Sequence, residues 1–73
     1  MTKYFASIRH HSISRARQIE VDGTLTQAKS AASREFGQEQ LDYEIVIYED
    51  MGDRAPYLIA TRRVSDRKWQ DRA

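Results

Sequence analysis

Polar and apolar positions change their rhythm twice along the chain, and each change marks an element. Residues 3–10, Lys-Tyr-Phe-Ala-Ser-Ile-Arg-His, mix aromatic and β-branched side chains with polar ones and predict an N-terminal strand. From Arg15 to Val21 polar residues alternate with Ile19 and Val21, predicting a second strand hairpinned to the first through His11-Ser12-Ile13-Ser14 and ended by Asp22-Gly23. The period then shifts from two to between three and four. Leu25, Ala28, Ala32 and Phe36 form one apolar stripe with Ala31 beside it, and Gln27, Lys29, Ser30, Ser33 and Arg34 form the opposite, solvent-directed face. Thr24-Leu25-Thr26-Gln27 fits a capping box, so the helix starts at Thr24 or Thr26 and runs to Gly37, where a left-handed glycine is expected to stop it.

Alternation returns in residues 42–50, with Tyr43, Ile45 and Ile47 on one side and Glu44, Val46 and Tyr48 on the other. This strand is apolar on both faces at its centre. Met51-Gly52-Asp53-Arg54-Ala55-Pro56 is rich in breakers, and residues 57–64 make the return strand of a hairpin. A turn at Ser65-Asp66 leads to a short edge strand over 68–71, in which Trp69 packs on the sheet. The order β-β-α-β-β-β with short connections predicts an α+β fold: a two-layer domain with an antiparallel sheet of about five strands and one helix on one face. With no linker, repeat or low-complexity stretch, residues 1–73 are expected to form one domain.

Composition narrows how such a domain is held together. A chain of 73 residues without Cys buries roughly 60% of its unfolded surface, so a single apolar core must suffice. No apolar run approaches the ~18 residues of a membrane span and no signal-peptide pattern opens the sequence, which predicts a soluble, intracellular protein without membrane contact. The formal net charge of +1 conceals a segregation of sign. Residues 1–34 sum to +4, residues 35–53 contain seven acids and no base, and residues 54–73 sum again to +4. A fold built from such blocks presents a basic and an acidic surface.

The side chains that carry catalysis are poorly placed. His10 and His11 are adjacent, so on a strand they point to opposite faces and cannot share an ion. Ser12 and Ser14 lack a signal for an oriented base or oxyanion hole, and Gly23, Gly37 and Gly52 are scattered singles rather than a phosphate cradle. The acidic run Glu49-Asp50-x-Gly-Asp53 reads as a solvated hairpin tip. The expectation is a protein without catalytic residues, metal or cofactor. The cations form a more coherent set: Arg15, Arg17, Lys29, Arg34, Arg62, Arg63, Arg67 and Lys68, with Trp69 directly after the last pair. Lys29 and Arg34 are five residues apart, about 140° around a helix. Cations spaced in this way neutralise phosphates without reading sequence, and Tyr4, Tyr48 or Tyr57 are available to supplement them. Against this stands a pI of about 8.1, below the usual basic footprint of a nucleic-acid binder.

Two segments carry a likeness. Ile19-Glu20-Val21 leading through Thr24-Leu25-Thr26-Gln27-Ala28-Lys29-x-Ala31-Ala32-Ser33-Arg34-Glu35, together with Arg67-Lys68-Trp69-x-Asp71, resembles the small phage-encoded anti-CRISPR proteins of the type I-F inhibitor group. The likeness touches about half of the chain, the helix most closely and the Trp-containing tail next. It implies a protein of similar length and strand-helix-strand order in the cytoplasm of a bacterial host. It further implies an inhibitor that docks on the backbone subunits of a type I CRISPR RNA-guided surveillance complex, obstructs guide–target pairing and promotes nonspecific duplex DNA binding by the complex. Lys29 and Arg34 match basic helix positions of that group, and Arg67-Lys68-Trp69 matches its basic-aromatic tail. Ser30 stands where the group's helix carries a second basic residue, and the turn over 50–56 is longer and contains Pro56. Two other readings are consistent with the residues alone: a small phage nucleic-acid-binding accessory protein acting directly on DNA, and a homo-oligomerising module whose edge strand pairs with its copy.

Overall fold

The structure, a computed structural model, describes residues 2–9, 18–37 and 43–71. Five strands and one helix follow in the order β1 (Thr2–Arg9), β2 (Gln18–Gly23), α1 (Leu25–Phe36), β3 (Glu44–Glu49), β4 (Tyr57–Arg63) and β5 (Gln70–Asp71). The strands form one antiparallel sheet of order β2-β1-β3-β4-β5, and the helix packs across β1, β2 and β3 on one face. The α+β two-layer expectation therefore holds. The expected first hairpin connection, with His10, His11, Ser12, Ser14, Arg15 and Arg17, lies outside the described residues.

Alternation decides which side chains meet the helix. Tyr4, Ala6 and Ile8 of β1 pair in register with Val21 and Ile19 of β2 and with Ile47 and Ile45 of β3, and this face is the core. From the helix, Ala28 and Ala32 are fully buried, and their small side chains let the backbone lie close on the sheet. Phe36 closes the far end of this stripe and is likewise fully buried. Tyr4 is thus a core residue, only 7% exposed, and is withdrawn from the aromatics open to a ligand. Val46 is buried to 1% yet stands apart from this cluster, on the sheet face that carries no helix.

Several boundaries differ from the sequence-based expectation, each for a local reason. β2 ends at Gly23 as expected but includes Asp22 and Gly23, which pair with Lys3 and Thr2, and Gly23 takes φ +142°, a conformation disfavoured for side-chain-bearing residues. Trp69 and Lys68 precede β5, which is reduced to two residues, and Val64 leaves β4 to donate its N–H to the Tyr43 carbonyl at 2.8 Å. Gly37 is not left-handed: its φ of −70° and ψ of −9° are right-handed helical, and its N–H donates to the Ser33 carbonyl. Glycine is nevertheless suited there, because a Cβ would run into that same carbonyl oxygen. Between Ile47 and Tyr48 the β3–β4 register slips, so that Ile47 faces Ala60 and Tyr48 faces Leu58, with Ile59 as the extra residue of a bulge.

The helix start is Thr24, and both halves of the capping box are present. The Thr24 hydroxyl oxygen accepts from the Gln27 N–H at 3.2 Å, and Gln27 Oε1 accepts from the Thr24 N–H at 2.9 Å. Thr24→Ala removes one acceptor from a helix end and is expected to destabilise the domain by about 1 kcal/mol, whereas Thr24→Ser stays close to the parent. Urea denaturation followed by circular dichroism checks this, and equal midpoints for Ala and Ser would show that the cap contributes nothing.

Candidate nucleic-acid interface

The chain path gathers most of the candidate contact cations at one end of the strands. The helix begins beside the paired Thr2–Gly23 end of the sheet and finishes where β3 starts and β4 ends. At that finishing end lie Arg34 in the last helical turn, Arg62 and Arg63 at the end of β4, and Arg67 and Lys68 in the turn before β5. Arg34 there also complements the partial negative charge of the helix C-terminus. The opposite end carries Glu49, Asp50 and Asp53 around the exposed 51–57 loop, where Asp50 Oδ1 accepts from the Gly52 N–H at 3.0 Å. Glu35, Glu44 and Asp66 lie at the first end as well, and Lys3 and Arg54 at the second, so the segregation read along the sequence is carried into space only in part.

Two of the anticipated contact cations are engaged inside the molecule. Arg62 stands opposite Ile45 in register, so its stem lies on the helix-bearing face. Its Nη1 donates to Ser33 Oγ at 2.7 Å, its Nε donates to the Asp66 carbonyl oxygen, and its guanidinium lies 6.0 Å from the centre of the Trp69 ring. One side chain therefore ties helix, β4 and the following turn together. Lys29 Nζ lies 2.7 Å from Asp71 Oδ1, with only 23% of its side chain exposed, and this pair fastens the short β5 to the helix. Trp69 packs against the core as the sequence suggested, which turns its ring inward.

Arg34, Arg67 and Lys68 remain directed to solvent at the basic end, and Arg63 is exposed beside them across from Glu44. Arg62 holds the turn from which Arg67 and Lys68 project next to the helix end that carries Arg34. Exposed cations of this kind can contact phosphate groups without reading sequence. Among the described residues no three His, Cys, Asp or Glu side chains come together to hold a metal, and no buried side-chain polar atom lacks a hydrogen-bond partner. No helix among them is long and apolar enough to cross a membrane.

A second feature was not anticipated as a site. On the helix-free sheet face a groove of about 350 Å³ is lined by Phe5, Gln18, Tyr48 and Pro56. Phe5 and Tyr48 are direct cross-strand partners, and Leu58 faces Tyr48 from β4. The signal for it was present in the element count, since among the described residues one helix packs on one face of a five-stranded sheet and no second helix packs on the other. In comparisons with protein-family models, curated proteins and solved structures, the chain matches none.

Proposed function

We propose that the chain is a non-catalytic inhibitor of the anti-CRISPR kind. It acts in the host cytoplasm, binds the backbone subunits of a type I RNA-guided surveillance complex, blocks target recognition and holds duplex DNA nonspecifically at its basic end. The observation that carries this reading is the meeting of two segments far apart in sequence. The helix and the Arg67-Lys68-Trp69-x-Asp71 tail, which carry the resemblance to the type I-F inhibitors, are joined by Lys29–Asp71, and the turn that opens the tail is tied to the helix by Arg62–Ser33 and Arg62–Asp66.

Magnitudes favour DNA capture within a complex over tight binding by the protein alone. Arg34, Arg67 and Lys68 offer three phosphate contacts, so the logarithm of the binding constant falls with a slope of about −3 against the logarithm of salt concentration. Proteins that bind DNA tightly in isolation make about 6–10 such contacts. A surface of this size adds to an assembly already gripping nucleic acid.

Size-exclusion chromatography of the protein with a type I-F surveillance complex, followed by gel shifts with target and unrelated duplexes, tests the reading. Co-elution, lost target recognition and gained binding to unrelated duplex are expected. The triple variant Arg34→Glu, Arg67→Glu, Lys68→Glu should still co-elute and lose the unrelated-duplex shift. Wild-type protein that does not co-elute overturns the proposal.

A further inference from the structure

The basic end accounts for DNA but leaves the helix-free sheet face without a role. That face is apolar at its centre: Phe5 and Tyr48 stand side by side on the two adjacent strands β1 and β3, Leu58 extends the row onto β4, and Pro56 walls one side. Beyond the groove, Met51 is 39% exposed on the neighbouring loop. Apolar side chains gathered at the surface of a soluble domain mark candidate interaction sites.

The charges around it say what kind of molecule. On one side the edge strand β2 presents Glu20, directly opposite Phe5, and Asp22, both exposed. On the other side the 50–56 loop presents Asp50 and Asp53. Lys3 on the same face is drawn toward Glu20, its Nζ 3.9 Å from Oε2, and Arg54 is the cation of the loop. Among the described residues next to the groove, four acids therefore stand against two bases, while Glu44 and Arg63 pair across the far end of the same face. An acidic rim repels nucleic-acid phosphates, which argues against bases stacking on Phe5 and Tyr48 even though two aromatics on adjacent strands of an open sheet would otherwise suit them. It attracts the lysines and arginines of a protein surface shaped to hold nucleic acid, whose aliphatic stems also pack on aromatic rings.

We infer that the helix-free sheet face is the protein-docking surface, that its occupant is a cationic, nucleic-acid-binding protein groove, and that it works independently of the DNA-binding basic end. This inference rests on the inhibitor reading above and divides that activity between two surfaces. Three forms are compared for co-elution with the surveillance complex and for retention of unrelated duplex. They are the wild type, Tyr48→Ala, and the surface double variant Glu20→Lys, Asp22→Lys, which leaves every core side chain in place. Both face variants are expected to bind the complex at least tenfold more weakly, and the double variant, judged folded by its circular dichroism melt, keeps the test valid if Tyr48→Ala unfolds. The basic-end triple variant should co-elute normally. Undiminished co-elution of a folded double variant overturns the inference and leaves the inhibitor reading standing, whereas failure of the wild type to co-elute overturns both.

Discussion

Phe36→Ala is expected to bring the domain to the edge of unfolding at room temperature. The ring is fully buried at the last position of the helix, where it fills the space between the helix C-terminus and the sheet. Truncating a buried phenylalanine costs about 3–5 kcal/mol through lost transfer free energy and the cavity left behind. A domain of this size without disulfides has a total stability of only about 3–5 kcal/mol. The two figures nearly cancel, so a substantial unfolded population should appear in water without denaturant. Ala28 and Ala32 cannot relieve the cavity, because they have no side-chain length with which to follow the collapse. Urea titration by circular dichroism measures the loss, Phe36→Leu should retain most of the stability, and Met51→Ala, at an exposed loop position, should stay within about 0.5 kcal/mol of the parent. A Phe36→Ala variant less than 1 kcal/mol weaker would mean that the ring is not packed as described.

The second large effect is expected at Arg62. Hydrogen bonds made by a charged donor contribute about 1.5–3 kcal/mol each when shielded, and less when exposed. Arg62 makes one to the partly buried Ser33 hydroxyl and one to the exposed Asp66 carbonyl, and its guanidinium lies near the Trp69 ring. Arg62→Ala should therefore cost about 2 kcal/mol. Arg62→Lys should recover less than half of that, since one ammonium cannot reach both oxygens in the fixed fork of a guanidinium. The chain contains a single tryptophan, so fluorescence reports this site alone. A red-shifted emission and easier quenching are expected in Arg62→Ala as the turn loosens and Trp69 meets water. A variant with native emission and native stability would show that the side chain does not clip the turn to the helix.

Much of the architecture was written in local pattern. The capping box at Thr24 is a contact between residues three apart, and the stripe Leu25, Ala28, Ala32, Phe36 needs only the helical period, so both were visible without knowing the fold. The same is true of β3, whose central Ile45, Val46 and Ile47 announce burial on both faces. What escaped were properties fixed by partners distant in the chain. Lys29 and Arg62 look like any other surface cations in sequence, but Asp71 and Ser33 claim them, and neither pairing has a sequence signature. Tyr4 and Tyr48 are equally amphipathic as residues, and only the strand register sends the first to the core and the second to the open face. Gly37 illustrates a different limit: the residue type was read correctly as a helix terminator while its conformation was not, because glycine answers both to a left-handed turn and to a carbonyl that leaves no space for Cβ.

The outer strands bear on how the molecule behaves when crowded with its copies. One border of the sheet, β5, is two residues long, too short a template for another chain to extend. The other border, β2, is six residues long, but every second side chain there is Gln18, Glu20 or Asp22. A neighbour docking β2 against β2 would bring carboxylates of equal sign together along the seam, which disfavours the contact. The β2 border is thus poorly suited to growth by pairing with its own copy. A protein whose one open face is greasy can in this way stay dispersed at high concentration, its association confined to a partner that brings the opposite charge.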